Sequence, residues 1–285
     1  RLSGAEIFFS KQTVGGTETL MMAAVLARGK TTLKNCAMEP EIESVAEWLN
    51  ECGADIKGAG TTTIEINGTD GKLLKSKKPY KTIPDRIEAC SFLILGALCA
   101  SNLTIENCEP RHLEAVINLL KDSGVPILRS DLSGGGNGSI NIVNNTKPNS
   151  SFKAIKDLRT HEYPGLPTDL QAPLTVFLTQ VTGESSVFET IYDGRFKYVE
   201  ELQKIGANIT VMNPREILIK GPTPLRQMPE GEELCAHDIR AGFAVVLAAL
   251  TGTGKFTVNN VQLIDRGYEK LEEKLRGLGA VVERI

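Results

Sequence analysis

Aspartate recurs at one kind of place in this sequence, just ahead of an apolar run that reads as a helix: Asp85-Arg86-Ile87, Asp169-Leu170-Gln171 and Asp238-Ile239-Arg240. A fourth start, Lys11-Gln12-Thr13-Val14-Gly15-Gly16-Thr17, puts threonine there instead. An aspartate ahead of a helix is a good N-cap, because its carboxylate accepts from the free N–H groups of the first turn, and capping alone would account for all three. Helix starts that converge would also make an anion site, with exposed donors and the positive dipole end aimed at one ligand. The third start stands apart. Pro164, Pro167 and Pro173 bracket Asp169, and a stiff approach suits a carboxylate that has to be placed accurately.

Arginines sit near these starts. Asp193-Gly194-Arg195-Phe196 and Asp265-Arg266-Gly267-Tyr268 occupy matching loops, and Arg240 follows Asp238. A loop arginine is usually just solvated. Recurrence at matching places would nevertheless bring Arg195 and Arg266 into similar settings, and several guanidiniums around one carboxylate suit a substrate bearing phosphate and carboxylate groups. At the first start, Gly15-Gly16 would let a ligand approach the backbone closely. The spacing is not that of a Walker loop, and a flexible turn explains the pair equally well.

The elements that must carry these residues form a repeat. Four helices close on glycine: Glu47 to Gly53, Asn118 to Gly124, Glu201 to Gly206 and Lys274 to Gly279. Each lies 37 to 41 residues after one of the four starts. Glycine suits the left-handed residue that ends a helix. Short strands are expected after it, as in Asn208-Ile209-Thr210-Val211 and after Gly279. Between start and glycine lies another strand: Thr31–Asn35, Leu103–Asn107, Ser186–Thr190 or Phe256–Asn260. The unit reads helix, strand, helix, turn, strand, usually with one more strand before the next copy. The first helix of a copy is apolar nearly all round, as in Ser91 to Ala100, and should be enclosed. The second is amphipathic and should lie outside, so a sheet layer with helices on both sides follows.

Bulk properties set limits. The 285 residues suffice for two ordinary domains. A net charge of -3 gives no reason to expect nucleic acid or an anionic membrane as partner. The longest apolar runs, Phe92–Ala100 and Phe243–Leu250, are about half what a bilayer span needs. The six cysteines (36, 52, 90, 99, 108 and 235) show no CxxC pair, and His112, His161 and His237 have no second ligand at metal spacing, so no metal site is expected. Cysteines within apolar stretches act as small core residues, which fits a reducing cytoplasm. Opening on Arg1-Leu2-Ser3-Gly4 without methionine, the chain is expected to be a truncated length of a longer protein.

With these residues assembled, the sequence resembles the UDP-N-acetylglucosamine 1-carboxyvinyltransferases, the enolpyruvyl transferases of bacterial cell-wall synthesis. The motifs are TVGGTE (13–18), EPEI (39–42), PDRIE (84–88), PTDLQA (167–172), DGRF (193–196), DIRA (238–241) and IDRGYEKLEEKLRGLGA (264–280). The resemblance implies an inside-out α/β barrel of βαβαββ repeats in two domains, with substrates in the cleft between them. Residues 1–83 would be a partial domain of about one unit, and 84–285 a nearly complete domain of three. The implied reaction moves the enolpyruvyl group of phosphoenolpyruvate onto the 3-hydroxyl of UDP-N-acetylglucosamine and releases phosphate. This is the first committed step of peptidoglycan synthesis, which supports cell shape and division, and it needs no cofactor.

By matching motifs, Asp169 would take the proton from the sugar hydroxyl, a poor nucleophile until deprotonated, and would also contact the nucleotide sugar. Lys11, Gln12, Thr13, Val14 and Ile191 would bind the nucleotide sugar. Arg195, Arg240 and Arg266 would gather phosphoenolpyruvate and steady charge in the tetrahedral adduct. Glu39 and Arg86 match family positions with conformational roles. Family members carry further chain ahead of the residue matching Arg1, holding a Lys-Asn pair for phosphoenolpyruvate and a cysteine loop that donates a proton. None of the six cysteines occupies that motif, so this length alone is expected to be inactive. A non-catalytic nucleotide-sugar-binding remnant and the shikimate-pathway enolpyruvyl transferase are the alternatives.

Overall fold

The computed structural model describes residues 2–130, 138–143, 145 and 149–285; Arg1 of the opening lies outside the described residues. The chain divides into two compact units. The first comprises Arg1–Pro84 with Glu162–Gly165, and the second Asp85–His161 with Leu166–Ile285.

The first unit is one complete copy of the repeat: β1 (Glu6–Phe8), α1 (Val14–Val25), β2 (Lys30–Lys34), α2 (Pro40–Glu51), β3 (Asp55–Lys57) and β4 (Thr63–Asn67). Its sheet runs β1-β2-β4-β3, with β1 and β2 parallel and the other pairs antiparallel. The alternation in Thr63–Asn67 buries Ile64 and Ile66 against a core that includes Met21, Leu33 and Ile42.

The second unit holds the other copies. Copy two supplies α3 (Arg86–Cys99), β5 (Leu103–Cys108), α4 (Glu114–Ser123), β6 (Ile127–Ser130) and β7 (Gly138–Ile142). Copy three supplies β8 (Asp157–Arg159), α5 (Gln171–Gln180), β9 (Gly183–Phe188), α6 (Tyr198–Lys204), β10 (Ile209–Asn213) and β11 (Glu216–Gly221). Its strand order, β8-β9-β11-β10, repeats that of the first unit. Copy four supplies β12 (Leu234–Cys235), α7 (Ile239–Thr251), β13 (Val258–Asn259) and α8 (Leu271–Gly277), with β12 and β13 parallel.

The strand expected after Gly279 does not form among the described residues. In copies one and three the corresponding third strand pairs only with the fourth, and residues 280–285 form no strand pairing.

The apolar helices pack as patterned. In α3, α5 and α7 most residues are buried, and the three pack on one another. Burial on every side is what an apolar circumference demands. The amphipathic α4 buries only Val116, Ile117, Leu120 and Ser123, one face of the helix. Packing the three inner helices together brings Asp85, Asp169 and Asp238 into one unit at like ends of these helices.

All four closing glycines are left-handed, with φ of 106° at Gly53, 103° at Gly124, 107° at Gly206 and 93° at Gly279. A side chain there costs backbone strain of about 1–2 kcal/mol. At Gly206 a Cβ would also lie 2.9 Å from the Pro224 carbonyl oxygen, whereas at Gly279 it would meet nothing within 4 Å. Gly206→Ala is therefore expected to lower stability in urea unfolding more than Gly279→Ala; an equal or smaller loss would contradict the packing described.

Candidate active site

The helix starts share a residue type but not a role. Thr13 caps α1, its Oγ1 accepting from Gly16 N at 3.2 Å. Asp85 caps α3 by accepting from Ile87 N and Glu88 N at 2.8 and 2.9 Å. Asp238 caps α7 by accepting from Arg240 N and Ala241 N, both at 2.8 Å. Asp169 caps nothing. It lies inside a 3-10 turn, Thr168–Leu170, and α5 starts only at Gln171 with Leu170 at its cap position. The capping explanation thus holds for Asp85 and Asp238 and fails for the aspartate between the prolines.

The Asp169 carboxylate instead points at arginines. Arg195 Nη2 donates to its Oδ1 at 2.6 Å, and Arg240 Nε lies 3.5 Å from its Oδ2. All three side chains are partly buried, Arg240 at 16% exposure and Asp169 at 35%. Arg195 Nη1 donates to Thr168 Oγ1. Arg240 lies over the Tyr268 ring, 5.3 Å from its centroid. Burial works against its charge, but the Tyr268 phenol, Asp169 and Asp85 outweigh burial and hold Arg240 above the ordinary arginine value. Arg240 Nη1 is enclosed without a hydrogen-bond partner among the described residues. An unmet buried donor costs about 1–3 kcal/mol, which an anionic acceptor would recover.

Gly267 makes room for this arginine. A Cβ there would lie 2.7 Å from Ile239 Cγ2 and 3.1 Å from Arg240 Nη1. That requirement separates the two matching loops. In copy three Arg195 follows Gly194, a left-handed residue at φ 67°, and turns onto Asp169. In copy four Arg266 precedes its glycine, ends a 3-10 turn over Val261–Arg266 and is exposed. The similar settings expected for Arg195 and Arg266 are therefore not found, because glycine and arginine trade places.

A pocket of about 470 Å³ opens beside this group, lined by Asp169, Tyr192, Asp193, Gly194, Arg195, Lys197, His237 and Asp238. The Tyr192 ring lies under Arg195, its centroid 5.2 Å from the guanidinium carbon. Ile191, one residue before, is half-buried, and its N–H donates to Glu189 Oε1 at 2.8 Å. His237 Nε2 lies 3.3 Å from Glu201 Oε1, a buried carboxylate that also accepts from Lys204 and Cys235 N.

In the first unit Lys11 and Thr13 are exposed, and Gln12 and Val14 half-buried, at the start of α1. Gly15 and Gly16 lie in the first helical turn rather than a flexible loop. Gly16 is required there, since a Cβ would lie 2.5 Å from Thr13 Cγ2, while Gly15 faces open space. Glu39 occupies the cap position of α2 without capping it, its Oε2 enclosed and without a hydrogen-bond partner among the described residues. Arg86 is buried at the start of α3.

The sequence reading missed Thr168, Glu189, Tyr192, Lys197 and His237. Glu189 had a signal. After the mid-copy strands the chain turns through left-handed Asn35, Asn107 and Asn260 in copies one, two and four, whereas copy three has Thr190 preceded by Glu189. Among the described residues no group of three or more His, Cys, Asp or Glu is placed to hold a metal ion. No helix among them is long and apolar enough to cross a membrane.

Comparison with known proteins adds to this geometry. Residues 1–275 match the family model described as EPSP synthase (3-phosphoshikimate 1-carboxyvinyltransferase). A UDP-N-acetylglucosamine 1-carboxyvinyltransferase of Koribacter versatilis (strain Ellin345) is 45% identical over 285 residues, 100% of this chain and 61% of that protein. The enolpyruvyl transferase NikO from Streptomyces tendae superposes with a TM-score of 0.79 at 26% identity, over 94% of this chain and 60% of that one. EPSP synthase from Acinetobacter baumannii shares the fold at 19% identity, with a TM-score of 0.69 over 97% of this chain and 62% of that one. The chain spans about three fifths of the length of the curated relatives it matches.

Two buried phenols frame the site, Tyr198 donating to Gln171 Oε1 at 2.7 Å and Tyr268 bonded to Ser91 Oγ at 2.8 Å. Burial pushes both above the ordinary tyrosine range, against the pull of Thr175 on one and Arg240 on the other. A raised phenol contributes stability that is complete below the unfolded value of about 10 and is lost as pH rises through the folded value. In an alkaline titration followed at the tyrosinate absorbance band, Tyr198 and Tyr268 should ionise late, together with loss of helix. Tyr198→Phe and Tyr268→Phe should each remove one late phenol; a phenol of either residue ionising while the fold persists would contradict this.

Proposed function

We propose, since this chain belongs to the EPSP synthase (3-phosphoshikimate 1-carboxyvinyltransferase) family, that it carries part of the site moving an enolpyruvyl group from phosphoenolpyruvate to the 3-hydroxyl of UDP-N-acetylglucosamine. The observation that carries this reading is Asp169, a carboxylate released from capping and held between Arg195 and Arg240. The nucleotide sugar as acceptor is supported by the 45% identical relative of that name. The shikimate-type acceptor is supported by fold alone, at 19% identity to the solved enzyme.

In this reading Asp169 accepts the proton of the sugar 3-hydroxyl as its oxygen attacks C2 of phosphoenolpyruvate. Proton removal in the transition state contributes about 10²–10⁴-fold. Arg195 and Arg240 hold the phosphate and carboxylate groups, with Arg240 Nη1 as a ready donor. Arg266 serves from the rim, where its exposure leaves it free to swing inward. Phosphate leaves when the tetrahedral adduct collapses and returns the proton added at the methylene carbon. The group that supplies that proton is assigned to the length of the relatives that this chain does not match.

For the nucleotide sugar, the first unit offers the Lys11 ammonium, Gln12, Thr13, Val14 and the backbone around Gly15 at the exposed start of α1; in the second unit the contact assigned to it is Ile191. A role in peptidoglycan synthesis, and through it cell shape and division, in the cytoplasm, follows from this acceptor. No nucleic acid, membrane, metal or cofactor enters the scheme.

Turnover is to be read in a protein that joins this chain to the part of the Koribacter versatilis relative it does not match. Phosphate release from phosphoenolpyruvate is expected only with UDP-N-acetylglucosamine present, and Asp169→Ala should lower it by about 10²-fold or more. Release that persists unchanged in Asp169→Ala would sink the assignment of the base. Calorimetry on the present chain should show Lys11→Ala weakening the nucleotide sugar and leaving thermal stability within about 0.5 kcal/mol.

A further inference from the structure

We propose that Glu189 is a positioning residue for this site, setting the Arg195 guanidinium through Thr168 and the Ile191–Tyr192 backbone directly, an inference that rests on the function proposed above. Glu189 follows β9 and is fully buried. Its Oε1 accepts from Thr160 Oγ1 at 3.0 Å, Ile191 N at 2.8 Å and Tyr192 N at 3.2 Å, and its Oε2 accepts from Thr168 Oγ1 at 2.8 Å. A carboxylate buried this deeply is costly unless its lone pairs are met. Four donors meet them.

These bonds run to the site. The Thr168 hydroxyl spends its hydrogen on Glu189, so its oxygen is left to accept, and the donor it receives is Arg195 Nη1. Arg195 Nη2 is spent on Asp169, and the Arg195 carbonyl accepts from Gln171 Nε2 at 3.3 Å. The guanidinium is thus gripped from two sides, by Asp169 facing the pocket and by Thr168 with Glu189 behind it. The same carboxylate fixes the N–H groups of Ile191 and Tyr192, the residue proposed to meet the nucleotide sugar and the ring beneath Arg195. One buried carboxylate therefore ties together two groups assigned to different substrates.

A role confined to stability would need no bond from Thr168 to Arg195, and the hydroxyl separates the cases. Thr168→Ser keeps the relay, while Thr168→Val keeps the shape and removes it. Glu189→Gln keeps the Oε1 contacts but turns an amide toward Thr168, so the hydroxyl must accept from it and point its hydrogen elsewhere. The Arg195 guanidinium signals, assigned by their loss in Arg195→Lys, are to be recorded by ¹⁵N NMR on the present chain with each variant's melting temperature alongside. Phosphoenolpyruvate is titrated in parallel with the nucleotide sugar present.

Wild type and Thr168→Ser are expected to show a dispersed, slowly exchanging Arg195 guanidinium. Thr168→Val and Glu189→Gln should average it toward the signals of exposed Arg266 and weaken phosphoenolpyruvate about tenfold, the size of one charge-assisted hydrogen bond. Unchanged Arg195 signals in a folded Thr168→Val would overturn the role of Glu189, as would equal loss in Thr168→Ser. Should Glu189→Gln fail to fold, the two Thr168 variants decide. If wild type binds no phosphoenolpyruvate, the proposed function fails, and the guanidinium signals still judge the positioning by themselves.

Discussion

Everything proposed for this chain depends on a carboxylate that does not cap its helix. Two aspartates at like positions spend their oxygens on the first turns of α3 and α7. Asp169 is freed because a 3-10 turn intervenes before α5. Its charge is then balanced by Arg195 and Arg240 instead of by peptide N–H groups. A carboxylate between two guanidiniums is oriented by both, and guanidiniums held by one carboxylate can exchange it for an anion of greater charge.

The fold serves that arrangement through the enclosed helices. Because α3, α5 and α7 are apolar on nearly every side, they must pack on one another, and their starts then fall together. Arg240 rides on the first turn of α7 and reaches Asp169 across the top of α5, over a ring that Ser91 of α3 holds by its hydroxyl. Each inner helix therefore contributes one part of the same group. The amphipathic helices and the sheets close the outside, and left-handed glycines turn the chain back after each outer helix.

Much of this was legible in the sequence. The four helix starts, the mid-copy strands and the closing glycines all stand close to where the patterning put them, because periodicity and positive φ leave marks in residue types. The distinction between Asp169 and its two counterparts was only half visible. Prolines signalled a stiff approach, but whether an aspartate caps depends on one turn of backbone that residue types do not dictate. The setting expected for Arg266, like that of Arg195, failed for a similar reason: a matching loop carried the right residues in an altered order, and Gly267 had to stay beside Arg240. The strand expected after Gly279 does not form among the described residues; a strand needs a pairing partner, a non-local dependence that a local motif does not show. Glu189 escaped notice as one more polar residue at a strand end, although the missing asparagine at Thr190 marked copy three as different.

The most direct test of the arginine pair is a double-mutant cycle on phosphoenolpyruvate binding, followed by ³¹P NMR in the presence of UDP-N-acetylglucosamine. Arg195→Ala and Arg240→Ala should each weaken binding by about tenfold or more. The double variant should lose less than the sum of the two in free energy, because both arginines hold one ligand and share one carboxylate. Binding unaffected by either substitution would contradict the account.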